Sequence, residues 1–192
     1  MTDYATLAEL KTALRITDTS DDTELQAKLT SASRRIDSDV GRLHGFGQDS
    51  VATSRIYQAR HAELLTVDDI STSTGLIVEI GRGTSWSTVD PNSYDLLPEN
   101  AEADGWAIET LLRVNGCWPL WGSQRVRVTA KWGWPAVPEE IKNATILLAA
   151  RLFRRKDSPE GVKGFSDLGV VRVSKYDPDY DALIADYTKD VH

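Results

Sequence analysis

Apolar positions repeat with two different periods, and the change of period divides the chain into three stretches. Near the N-terminus, Leu7, Leu10 and Leu14 recur at helical spacing behind Thr6-x-x-Glu9, a pairing in which each side chain satisfies the other residue's free backbone N–H. The polar run Thr17 to Ser20 interrupts that pattern. A longer helix is predicted from about Asp21, with Leu25, Leu29, Ala32, Ile36 and Val40 forming one apolar stripe. Lys28, Arg34, Arg35, Asp37 and Asp39 occupy its opposite face, and Gly41, Gly45 and Gly47 end it.

From about Val51 the period becomes alternating. Thr53 to Tyr57, Glu63 to Val67, Leu76 to Ile80 and Tyr94 to Leu97 read as short strands, and Trp106 to Val114 as a weaker one. The clearest is Gln124 to Trp134, where Val126, Val128, Ala130, Trp132 and Trp134 alternate with Arg125, Arg127, Thr129 and Lys131. One apolar and one wet face suit an antiparallel sheet covered on one side. Gly81-Arg82-Gly83 and Asp90-Pro91-Asn92 read as turns, and the acidic stretch Pro98 to Gly105 as an exposed loop.

The helical period returns at Pro138, read as the first helical residue, with Glu139 and Glu140 matched to the positive helix end. Ile141, Ala144, Ile146, Leu147, Leu148, Ala149, Ala150, Leu152 and Phe153 cover most of the circumference, which predicts burial in a core or an assembly. Arg151, Arg154, Arg155 and Lys156 close the helix. Asp157 to Gly169 reads as a loop, Val170 to Ser174 as a short strand, and Asp177-Pro178 as the start of a final helix with the stripe Tyr180, Leu183, Ile184, Tyr187 and Val191. The fold class is α+β. Residues 1–48 and 136–192 form one helical core, and residues 49–135 form an inserted, mainly antiparallel β region.

Composition changes this picture in three ways. At 192 residues the chain is long enough to bury an ordinary core without metals or disulfides. No apolar run approaches a membrane span, and MTDYATLAEL has neither the basic start nor the apolar stretch of a secretory signal. A net charge of −7 argues against a protein that binds nucleic acid freely, because phosphate contacts dominate such affinity. A single cysteine, Cys117, permits no internal disulfide, and with His44, His61 and His192 it makes no zinc spacing.

A search for chemistry finds no phosphate loop, no dinucleotide fingerprint, no nucleophile elbow and no metalloprotease motif. No catalytic residue, metal ligand or cofactor site is assigned. Asp68–Asp69 reads as a strand end, and Asp177, Asp179 and Asp181 as the start of a helix. Six tryptophans, four of them between Trp118 and Trp134, leave two readings open. One is a carbohydrate- or ligand-binding module built on a tryptophan-rich sheet. The other is core and interface anchoring, assigned to Trp132, Trp134, Leu148, Leu152 and Phe153. The arginines Arg151, Arg154 and Arg155 read first as cations matched to a helix C-terminus and second as contacts to DNA.

The paired helices YATLAELKTALRI and DDTELQAKLTSASRRIDSDVGR, the run RVRVTAKWGWPAVPEEIKNATILLAARLFRRKDSPEGV and the closing VRVSKYDPDYDALIADY together resemble the head-tail connector proteins of long-tailed phages, also called head completion or adaptor proteins. The resemblance implies a non-enzymatic virion protein of the neck, assembled from host cytoplasm into a ring, commonly of 12 copies. Such a ring sits beneath the portal protein, extends the DNA channel without sequence-specific binding, and presents a surface to a downstream connector, stopper or tail terminator. By similarity, portal docking falls to Val171, Val173, Tyr176, Tyr180, Leu183, Ile184 and Tyr187, and an inter-subunit loop to Ser158, Pro159, Val162, Phe165 and Leu168. Truncation after Asp157 is then expected to leave a folded monomer that cannot join portal-bearing capsids.

Overall fold

The computed structural model describes residues 3–42, 44–155 and 178–189. The chain divides into a helical unit, residues 1–45 with 137–192, and a β unit, residues 46–136.

In the helical unit, α1 spans Leu7–Leu14 and α2 spans Asp22–Asp39. The Thr6/Glu9 capping box is formed in both directions, with Glu9 N donating to Thr6 Oγ1 at 3.2 Å and Thr6 N donating to the Glu9 carboxylate at 2.7 Å. The predicted stripe of α2 is buried through Leu25, Leu29, Ala32 and Ile36. Gly41 adopts φ 68°, and the Arg42 N–H reaches back to the Asp37 carbonyl, which closes the helix end. Helix α4 spans Glu139–Arg154 and packs on α1 and α2. Pro138 is its N-cap rather than its first helical residue: its ψ of 147° is extended, and its carbonyl accepts the Lys142 N–H. Ile141, Ala144, Thr145, Ala149 and Phe153 are buried, whereas Leu148 and Leu152 are half-buried. The circumference is therefore less uniformly covered than its apolar content predicts. Helix α5, Pro178–Ile184, continues as a 3-10 turn, Ala185–Tyr187, and packs on α4.

The β unit contains two antiparallel sheets. Strands β1 (Thr53–Tyr57), β7 (Arg125–Ala130), β3 (Ile77–Arg82) and β4 (Ser85–Thr88) form one in that order, and β2 (Leu64–Ile70), β6 (Ile108–Arg113) and β5 (Tyr94–Leu97) form the other. Leu65, Val67 and Leu111 of one sheet and Val78, Val126 and Val128 of the other share a single core with Trp118 and Trp132. The alternation expected of one covered face is clear in β7 and in the first half of β2, whereas β6 buries Ile108 and Leu111 three residues apart.

Four local expectations change. Gly81 and Arg82 belong to β3, and the hairpin turns on Gly83-Thr84, with Gly83 at φ 61°. Strand β4 was not predicted, because Ser-Trp-Ser-Thr carries one apolar residue and therefore no alternation. Within the expected acidic loop a single helical turn forms, α3, Ala101–Asp104, which buries Ala101. The long strand predicted to reach Trp134 stops at Ala130, where β1 also ends its pairing at Thr53. Beyond it the backbone changes partners. The carbonyls of Lys131 and Trp132 accept from Ser71 N at 2.9 Å and Asp49 N at 2.8 Å, and Trp132 bridges Ile70 of the other sheet.

Candidate assembly surfaces

Trp132-Gly133-Trp134 joins the two sheets to the start of the β unit. Trp132 is fully buried, its indole N–H donates to the Thr53 carbonyl at 2.9 Å, and the Arg55 guanidinium lies 4.2 Å from its ring centre. Arg55 is also held by Asp68 at 2.7 Å, and the Tyr57 hydroxyl donates to the same carboxylate at 2.8 Å. Trp134 packs between Phe46 and Trp106, with ring centres 5.2 and 5.1 Å away, and its N–H donates to buried Asp69 at 3.1 Å. The adjacent carboxylates Asp68 and Asp69 are thus spent on different structural partners.

These positions remove the tryptophan platform. Trp118, Trp132 and Trp134 are fully buried, and Trp86 and Trp106 are half-buried. Stacking on a sugar needs an open ring face, and only Trp121, 88% exposed, fully presents one. Among the described residues no group of three or more His, Cys, Asp or Glu side chains is arranged to hold a metal ion, and no helix is long and apolar enough to cross a membrane.

The open face of the four-stranded sheet is built from Ser54 and Ile56 of β1, Arg127 and Thr129 of β7, Ile77 and Glu79 of β3, and Trp86 and Thr88 of β4. At its centre Arg127 makes a two-pronged ion pair with Glu79, at 2.6 and 2.7 Å, and stacks over Trp86 at 4.4 Å. The hydrogen bond from Arg127 holds the Glu79 carboxyl below its ordinary range. Ile56 and Ile77 remain exposed beside this polar centre, at 61% and 46%.

The C-terminal helix is fastened by its tyrosines. The Tyr180 hydroxyl donates to Asp39 and that of Tyr187 to Glu140, each at 2.9 Å. Arg42 Nε donates to the Tyr187 carbonyl at 2.7 Å, and Lys189 N to the Val40 carbonyl at 2.9 Å. Tyr180, Ile184 and Tyr187 are buried and Leu183 is half-buried. Three of the expected docking side chains are therefore already packed within their own unit. Arg154 and Arg155 are exposed at the end of α4, and Arg151 is half-buried. Ser158, Pro159, Val162, Phe165, Leu168, Val171, Val173 and Tyr176 lie outside the described residues. The tyrosine fastening carried no periodic signal beyond the stripe itself, because its partners lie far away in sequence.

Burial, reinforced by hydrogen bonding to Glu140, pushes the Tyr187 phenol up to about 12, and burial with hydrogen bonding to Asp39 raises Tyr180 further. A phenol whose value is raised on folding contributes stability that is complete below its unfolded value of 10.0 and is lost as pH rises through the folded value. Between about pH 10 and 12 the helical unit is therefore expected to lose stability as these phenols ionise. Phenolate absorbance and helical circular dichroism, followed together, check this. Ionisation of both phenols near pH 10 would contradict the assignment.

Residues 4–74 match the phage gp6-like head-tail connector protein family. No curated protein sequence matches the chain. Solved structures do. A chain from the neck of an empty gene transfer agent particle, computed with C6 symmetry, is 17% identical with a TM-score of 0.57, over 98% of this chain and 92% of that one. A chain from the neck of the native particle, computed with C12 symmetry, is 18% identical with a TM-score of 0.53, over 97% and 90%. A third, from the virion of the native particle, is 18% identical with a TM-score of 0.53, over 98% and 92%. At this level of identity the likeness speaks for the fold.

Proposed function

We propose, from the premise that residues 4–74 are a segment of the phage gp6-like head-tail connector family, that this chain is a structural subunit of the neck of a phage-like particle. The family is structural rather than enzymatic. The observation that carries the reading is the agreement of two independent features. The family match covers α1, α2 and the first two strands, and the likeness in fold to neck proteins extends over almost the whole chain. The helical unit, residues 1–48 with 136–192, and the inserted β region, residues 49–135, serve as its two parts.

In the finer reading, copies of the chain form a ring, of 12 in the virion, between the portal protein and a downstream connector, stopper or tail terminator. Genomic DNA passes through it. Ring contacts are heterologous, so each copy needs two different complementary patches. A net charge of −7 suits a conduit, because uniform attraction to phosphate would hold DNA in place. Arg151, Arg154 and Arg155 are the proposed points of DNA contact, and residues 158–168 the inter-subunit loop. Trp132, Trp134, Leu148, Leu152 and Phe153 are the proposed anchors of core and interface.

Portal docking is assigned to the C-terminal segment, with a division of labour that the tyrosine contacts support. Tyr180, Ile184 and Tyr187 hold α5 in the helical unit, leaving Val171, Val173, Tyr176 and the half-buried Leu183 to meet the partner. Truncation after Asp157 would remove α5 and uncover the surface it covers, so the truncated chain is expected to lose stability rather than remain a well-folded monomer. The better test is the double variant Val171→Asp, Val173→Asp in the full chain. It is expected to keep its helical circular dichroism and melting temperature while losing at least tenfold in attachment to portal-bearing capsids, about 1.4 kcal/mol of binding. Unchanged attachment would remove the docking assignment.

A further inference from the structure

The four-stranded sheet ends in two open edges, β1 and β4. Natural sheets discourage pairing at such edges with lysines, prolines, bulges or inward-pointing charges. Strand β4 has none of these defences, and β1 has one, the core-facing Arg55 opposite Val128. Strand β4 is Ser-Trp-Ser-Thr, without a charge or a proline. The one charge of β1, Arg55, is bound to Asp68 and stacked on Trp132. In the other sheet, by contrast, the edge strand β5 carries the exposed charge of Asp95.

Exposed apolar side chains gather at the same place. Val51, 68% exposed, precedes β1, and Ile56 lies on it. Trp121 is set beside its far end, because the Gln58 side-chain amide donates to the carbonyls of Pro119 at 3.3 Å and Leu120 at 3.0 Å. Ile77 shares the open face with Ile56. A lone exposed apolar residue needs no explanation, but Val51, Ile56 and Trp121 along the β1 edge, with Ile77 on the open face two strands away, mark an interaction surface.

We propose that β1 of one copy of this chain pairs with β4 of the next, continuing the sheet head to tail around the assembly; the inference rests on the connector reading above. Strand direction supports a second copy as the occupant. The strands alternate in sense across the order β1-β7-β3-β4, so β1 and β4 run in opposite directions. The small rotation between neighbours in a many-membered ring leaves strand sense unchanged. The β4 edge of one copy then meets the β1 edge of the next as an antiparallel partner, preserving the alternation. The two edges differ, which is what a heterologous contact requires. With Ser54 opposite Thr88, Ile56 falls beside Trp86 on the open face, an aromatic and β-branched cross-strand pair of the kind that stabilises sheets.

Directly opposed residues in such a pair have Cβ atoms about 5 Å apart, within reach of a disulfide. The full-length chain with Cys117→Ser, Ser54→Cys and Thr88→Cys is oxidised mildly, both as concentrated protein and within purified particles. A second version with Ser54→Cys and Trp86→Cys covers the register two residues away. The expected result is a ladder of covalent oligomers beyond the dimer from a double variant. Single-edge variants should remain monomeric, and adding Ile56→Lys should reduce the ladder at least fivefold. Dimers from Ser54→Cys alone would mean that β1 pairs with its own copy, and would overturn the proposal. So would the absence of a ladder from both double variants in both preparations. The presence of the chain in the particles then separates the two ideas. If it is present without a ladder, edge pairing falls and the connector reading stands; if it is absent, both fall.

Discussion

Gly133→Ala is expected to destabilise the β unit by about 3 kcal/mol, by strain and overpacking together. Gly133 sits at φ 103°, where an L side chain is strained, and a Cβ there would lie 1.8 Å from the Gly47 carbonyl oxygen. That oxygen belongs to backbone and cannot swing aside like the tip of a flexible side chain. Relief would require moving the segment that also carries the Asp49–Trp132 hydrogen bond. Gly75 is the control: its φ is 80° but nothing lies within 4 Å of the added Cβ. Gly75→Ala should therefore cost only the conformational share, roughly 1 kcal/mol. All six tryptophans fall within residues 46–136, so urea unfolding followed by tryptophan fluorescence reports on the β unit alone. Equal urea midpoints for the two variants would show that the close approach to Gly47 contributes nothing.

Trp132→Ala is expected to cost about 4 kcal/mol, whereas Trp121→Ala should change stability by less than about 0.5 kcal/mol. The residue type is the same and the environments are opposite. Trp132 is 1% exposed, reaches the core shared by both sheets, and satisfies the Thr53 carbonyl. Removing it leaves a cavity, strips Arg55 of its stacking surface and removes a hydrogen bond. Trp121 loses little because its ring is already in water. Differential scanning calorimetry of both variants checks the contrast. A marked loss of stability in Trp121→Ala would mean that this side chain supports the loop rather than standing free for a partner.

The two variants also mark where local pattern stops being informative. Alternation correctly puts Trp132 on the buried side, but it also carries the strand on through Gly133 to Trp134, where the chain instead bends. What the bend joins was not legible. The backbone leaves one sheet at Ala130 and takes partners at Asp49, Ser71 and Asp69, which are remote in sequence. Strand β4 was missed for the complementary reason. Four polar-rich residues carry no period, and they become a strand because Gly83-Thr84 folds them back on β3. On the helical side, the Thr6/Glu9 box and the stripe of α2 could be read directly, since both depend on contacts three or four residues apart. The tyrosine fastening of α5 could not, because Asp39, Arg42 and Glu140 lie 47 to 145 positions from their partners.

The sequence by itself determined the α+β class, the two terminal helical stretches around an alternating middle, the covered face of the Arg125–Ala130 strand, and the resemblance to connector proteins. These follow from periods of 3.6 and 2 and from caps, which act within a few residues. Only the tertiary structure decided the strand order β1-β7-β3-β4, the burial of Trp118 against the exposure of Trp121, the commitment of Tyr180 and Tyr187 to the helical unit, and the two open sheet edges. Alternation says which side of a strand is buried but not which strand lies beside it. That choice is made by side chains meeting across the core, and it leaves β1 and β4 as the sheet's open ends.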